Sequence, residues 1–185
     1  MRPQAIIIIA CLFLVGIALI ALGPSSYRKV ENIQTLEAQT KSLRADYPEF
    51  EHLRTATIAS LIEANRQVLI IDVRRKEEFQ VSHIPGAANL DTAHKIANYL
   101  ATAAPLPEVI VFYSSSGIRS TQLLREMLEK WPLTAANLAG GIFAWANEDR
   151  PLINGAYEEV QHVHPENRFH GRFLAPERRF PFEGE

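Results

Sequence analysis

The sequence predicts an α/β fold, a parallel sheet flanked by helices and preceded by one N-terminal transmembrane helix, on three observations. Residues 5–22 (AIIIIACLFLVGIALIAL) form an uncharged apolar run, residues 68–71 and 109–113 are continuous β-branched or aromatic stretches, and the segments around those stretches carry apolar residues at helical spacing. Short apolar runs of this kind are the pattern of strands buried on both faces, which parallel sheets produce because their crossovers place helices on either side.

Taken in order, the apolar run comes first. Eighteen residues at the helical rise reach roughly 27 Å, close to the thickness of a bilayer hydrocarbon core. Residues 1–24 are therefore expected to be a membrane anchor that meets the lipid bilayer through residues 5–22, making a single-pass membrane protein. The run is longer than a signal-peptide core, and the small-residue site Ala21-Leu22-Gly23 is followed by Pro24, which argues against cleavage. Ile8-Ile9-Ala10-Cys11 looks like a bacterial lipobox, but too little apolar sequence precedes Cys11 and too much follows, so Cys11 is expected to be a lipid-facing or packed residue. Arg2 on one flank against Arg28, Lys29 and Lys41 on the other leans the C-terminal portion toward the cytoplasm.

Gly23-Pro24-Ser25-Ser26 reads as a hinge. Within the next segment, residues 25–51, Ile33, Leu36, Thr40, Leu43, Tyr47 and Phe50 fall on alternating three- and four-residue spacings, the seam of a helix. With only about three heptads available, a helix packed on its own domain is preferred to a coiled coil, and a homodimer through residues 30–50 is the alternative. From 52 to 153 short strands alternate with helical spacing at 58–64, 92–103 and 118–131, the α/β domain itself. Residues 154–185 mix charge, proline and phenylalanine without a period and read as an irregular or disordered tail, with Phe169, Phe173 and Phe180 as candidate anchors. His162, His164 and His170 lie in that tail, where nothing rigid fixes them as ligands, so no metal site and no cofactor are expected.

Composition removes several classes. One cysteine cannot form an intrachain disulfide, a Cys-rich zinc ribbon or an iron–sulfur cluster. A net charge of −2 gives no basic field for nucleic acid, so no such partner is expected.

The segment that carries chemistry is the loop after the strand at 109–113. There Ser114, Ser115, Ser116 and Gly117 lead into Ile118 and Arg119 at the start of a helix. A loop of small residues opening a helix can turn successive N–H groups toward one point, and with Arg119 behind them it forms a cradle for a small anion. An ordinary strand-to-helix turn, its serines capping the helix, fits the same residues. Asp72 and Arg74 leave a buried strand as an acid–base pair suited to fixing loops, and His83 precedes the turn dipeptide Pro85-Gly86.

Five motifs in order resemble the rhodanese-like domain family. They are VLIIDVR at 68–74 with Glu77-Glu78-Phe79 after it, His83-Ile84-Pro85-Gly86-Ala87, the loop ending Ser116-Gly117-Ile118-Arg119-Ser120, and Leu138-Ala139-Gly140-Gly141 leading to Trp145. Ser82 stands where the family commonly has glycine. The resemblance implies a sulfurtransferase fold whose loop begins with a nucleophilic cysteine five residues before the arginine, and Ser114 holds that position here. Sulfur transfer needs a thiolate that attacks a sulfane donor and carries sulfur as a persulfide. A serine hydroxyl is far less acidic and cannot hold that sulfur. No G-x-S-x-G elbow supports a serine hydrolase instead. The expectation is a membrane-anchored, catalytically inactive rhodanese-like domain that binds or scaffolds an unidentified protein partner, with a small anion as a further ligand. The alternative is a sulfurtransferase or sulfur-relay component that uses a thiol supplied in trans.

Overall fold

The structure is a computed structural model that describes residues 24–103, 107–131 and 134–181. Its centre is the sheet foreseen by the two apolar runs. Strands β1 (Glu51–Leu53), β2 (Val68–Asp72), β3 (Ala88–Asn89), β4 (Val109–Tyr113) and β5 (Ala136–Leu138) form one sheet in the order β1-β5-β4-β2-β3. Every pairing is parallel, with Val68 opposite Val109 and Asp72 opposite Tyr113. Between the strands run α2 (Thr55–Glu63), α3 (Lys76–Val81), α4 (Ala93–Thr102), α5 (Ile118–Lys130) and α6 (Gly141–Asn147), and α1 (Pro24–Asp46) precedes them all.

The two-residue period of the central strands divides the core. Ile70, Val111 and Tyr113 point to one face, where they join Ile58, Ile84, Leu138, Ile142, Phe143 and Trp145. Ile71, Ile110 and Phe112 point to the other, with Ile96, Leu124 and Met127. Both faces are thus covered, which is why no polar alternation marks these strands in the sequence.

Pro24, the first described residue, lies within α1 rather than in a hinge. The hinge expected at 23–26 is therefore corrected for Pro24, Ser25 and Ser26, all of which lie within α1. The seam of this helix turns onto the domain, with Leu36 and Leu43 4% and 6% exposed and Phe50 beyond its end also buried.

The single-pass membrane localisation with a cytoplasmic domain is also corrected. Among the described residues no helix is long and apolar enough to cross a membrane. The one described helix of sufficient length, α1 with 23 residues, carries Glu31, Glu37, Lys41 and Arg44. Each such charge costs on the order of 3 kcal/mol at a bilayer centre. The anchor expected at residues 5–22, including Cys11, lies outside the described residues.

The tail is irregular in secondary structure but packed. Two 3₁₀ turns, His170–Phe173 and Pro176–Arg178, lie in it, and Val163, Phe173, Leu174 and Ala175 are buried. Of the anchors expected there, Phe173 enters the core, while Phe169 and Phe180 stay exposed.

Candidate functional site

At the C-terminal end of β4 the chain turns through Ser114, Ser115, Ser116 and Gly117 into α5. All three serines are buried, at 1%, 0% and 3% exposure. The Ser114 Oγ accepts hydrogen bonds from the backbone N–H of Gly117 at 3.1 Å and of Ser120 at 3.4 Å. It also lies 3.3 Å from the Ser120 Oγ, which can donate to the Asn137 side-chain oxygen at 2.6 Å. The N–H groups of Gly117 and Ser120 thus converge on the loop's own hydroxyl and are satisfied there.

The back of the loop is fixed by α6. Its N–H groups at Ile142 and Phe143 donate to the carbonyls of Ser114 and Ser115, each at 3.0 Å. Gly140 and Gly141 both have positive φ, 73° and 57°, which lets the chain pass from β5 into α6 in this close approach.

Arg119 faces inward rather than toward an open cradle. Its Nη1 and Nη2 donate to the two carboxylate oxygens of Glu78 at 3.1 and 2.8 Å, and Nη2 also reaches the Ser115 Oγ at 3.2 Å. A second carboxylate, on Glu166 from the tail, lies 3.7 Å from Nε. Burial alone would raise the Glu78 pKa, but the hydrogen bonds and charge of Arg119, with the Arg75 N–H, hold it down at about 2. The anion nearest the loop is therefore an internal one.

Asp72 and Arg74 are fully buried and joined by several hydrogen bonds, the shortest 2.7 Å, while Arg74 also donates to the Ser82 carbonyl at 2.6 Å. Burial works against the Arg74 charge, yet Asp72 beside it raises the pKa above the ordinary value. The pair ties the end of β2 to the segment after α3. His83 is 3% exposed, stacks on Phe79 at 3.7 Å and meets the Phe79 carbonyl through Nδ1 at 3.0 Å. Burial lowers its pKa, so at neutral pH it is an uncharged donor to the carbonyl of Phe79 in α3. Ser82, in the position where the family commonly has glycine, has φ −168°. That is ordinary extended backbone, which any residue adopts.

Sequence reasoning missed three participants. Glu78 was visible only as part of an acidic pair, although a half-buried arginine after the loop implies a carboxylate partner. Gln39 of α1 donates to the Ser116 Oγ at 3.0 Å, and only a three-dimensional packing could have placed it there. Glu166 sat in a segment without a period. Among the described residues no group of three or more His, Cys, Asp and Glu side chains is arranged to hold a metal ion.

A parallel sheet whose central strand ends in a buried, helix-opening loop defines an α/β domain with its site at the carboxyl edge of the sheet. Residues 55–148 match the rhodanese-like domain, and the chain belongs to that family. It is 32% identical over 92 residues to MoeZ of Mycobacterium tuberculosis, a match that covers 49% of this chain and only 23% of MoeZ. It is 29% identical over 97 residues to a sulfurtransferase of Allochromatium vinosum, covering 52% of this chain and 89% of that protein. Among solved structures, a thiosulfate sulfurtransferase from Pseudomonas aeruginosa superposes with a TM-score of 0.55 at 22% identity, over 76% of this chain and 27% of that one. At that identity the likeness is one of fold.

Proposed function

We propose that this chain is a rhodanese-like module without sulfurtransferase chemistry of its own, working by binding and scaffolding. The observation that carries this reading is Ser114, which begins the loop five residues before Arg119, where working sulfurtransferases of this family need cysteine. Its oxygen is buried and already takes two backbone N–H groups. Those same contacts would favour a thiolate, but a hydroxyl held there stays protonated and cannot carry sulfane sulfur. Cys11 is the one thiol in the sequence.

The purified full chain should show no thiosulfate:cyanide sulfurtransfer above a denatured control. Turnover that follows the protein through successive purification steps overturns the reading. Ser114→Cys tests the rest of the loop: with the N–H groups placed as described, this variant should gain measurable transfer.

A second reading draws support from the Allochromatium relative, which is named a sulfurtransferase: a relay component served by a thiol in trans. It predicts sulfur transfer from thiosulfate to an added thiol such as glutathione that is faster with the chain than without it, the persulfide forming on the added thiol and sulfite leaving. The inactive reading predicts no rate above that of thiosulfate and the thiol alone. Recognition of a free anion at Ser114–Arg119 would require Glu78 to leave Arg119, so support for ligand binding has to come from another part of the domain.

A further inference from the structure

We propose that the cleft between α1 and the domain is a ligand site in its own right, and that it takes a small amphipathic carboxylate, an apolar body with one anionic head. The proposal rests on the binding-module reading above and gives that binding a place.

The cleft has a volume of about 430 Å³, within the ~300–1,000 Å³ range typical of small-molecule sites. Its floor is made of Leu36 from α1 together with Ala56, Ala139 and Ala144 from the domain. Three alanines in one wall leave open the space that larger side chains would fill. Where α1 does touch the domain it rides on Gly140, where a Cβ would lie 3.5 Å from the Thr40 hydroxyl and 3.6 Å from Leu36. The cleft opens beside that contact, and no residue of the Ser114–Arg119 loop lines it.

The mouth is cationic. Lys41, Arg44 and Arg54 line it. Among the described residues the side chains of Lys41 and Arg54 have no ion-pair or hydrogen-bond partner, and the Arg44 side chain donates only to the His52 carbonyl, at 3.2 Å. Two carboxylates share the lining, but Glu148 is already held by the Thr55 hydroxyl at 2.5 Å and by Arg150 at 2.8 Å. Glu37 alone remains to offset three cations. A cationic ligand would meet like charge, a neutral apolar one would leave the cations unused, and inorganic phosphate would leave the apolar floor wet. A carboxylate on an apolar body satisfies both halves of the lining.

The test uses the full chain and octanoate, below its micellar concentration, in isothermal titration calorimetry. Octylammonium and inorganic phosphate serve as comparison probes. Two variants probe the site: Ala56→Phe, which fills the floor, and Lys41→Glu combined with Arg54→Glu, which reverses the mouth. All three positions are exposed, so the thermal midpoint should stay close to that of the parent and report that the fold is retained. The expected result is saturable binding of octanoate at one site, weakened at least tenfold by each variant, with neither comparison probe bound comparably. Absence of saturable octanoate binding overturns the proposal, as does equal binding of octylammonium or phosphate, or binding that both variants leave unchanged. Failure here with no sulfurtransfer detected removes this proposal and leaves the inactive-module reading standing. Sulfurtransfer activity would remove that reading whatever octanoate does.

Discussion

At the scale of single residues, Gly141 shows how the loop is held. A Cβ placed on it would overlap the Ser114 carbonyl oxygen and come within 2.7 Å of the Ser115 carbonyl, and its φ is already positive. Neither backbone atom can move without breaking the hydrogen bonds from Ile142 and Phe143 that fix the loop. Gly141→Ala should therefore destabilise the domain by about 2–4 kcal/mol, the range of a strained backbone combined with a steric clash. Urea unfolding measures it, and a loss under about 1 kcal/mol would show that α6 does not press on the loop in this way. Such a glycine can be recognised in a sequence as a turn residue, since Gly140-Gly141 announces a tight passage. Glu78 is the opposite case. Its neighbour Glu77 is equally acidic, and nothing in the local pattern says that one of the two is fully buried against an arginine 41 positions away.

At the scale of elements, readability followed length and period. The central strands β2 and β4 span five residues each and could be placed from apolar runs alone. β1, β3 and β5, at three, two and three residues, are too short to show a period, and only pairing with a longer neighbour makes them strands. The helices α4 and α5 fall within a residue of the spans their spacing suggested, whereas the tail packs through side chains that repeat at no fixed interval. The seam on α1 was visible and was expected to pack on its own domain, but the residues of the domain that meet it were not foreseen. That seam supplies the next prediction. Leu36 and Leu43 are nearly the whole of what α1 buries by apolar contact in its described part, and Gln39 between them reaches Ser116. Removing both leucines should cost about 4–6 kcal/mol of packing if the helix stays folded in place. Local detachment is less costly than that, so α1 should release while the sheet holds. Leu36→Ala with Leu43→Ala is thus expected to speed amide exchange throughout 35–46 and leave the β2 and β4 amides protected. Equal acceleration in the strands would mean that α1 and the sheet unfold as one unit.

For the whole molecule, the titrating groups combine into one pH dependence with two stages. Burial lowers the pKa of His52, His83 and His164 from the ordinary 6.5, so below that pH the unfolded chain takes up protons that the native chain refuses. Glu78 is held at about 2 against an ordinary 4.5, so between those values the unfolded chain again binds the extra proton. In both stages the folded state is favoured at higher pH, and its advantage is lost as pH falls. The histidine stage begins near 6.5, and the Glu78 stage runs from about 4.5 to 2. The second stage is worth roughly 3 kcal/mol, because each pKa unit is about 1.4 kcal/mol. Stability measured by urea unfolding should therefore fall steadily from neutral pH and steepen below about 4.5. Glu78→Gln separates the stages. It leaves Arg119 beside a neutral amide, lowers stability at neutral pH, and should remove the steepening below 4.5 while the decline beginning at 6.5 persists. If the variant and the parent lose stability in parallel below 4.5, another carboxylate governs acid unfolding and the Glu78–Arg119 pair is not the electrostatic centre of the loop.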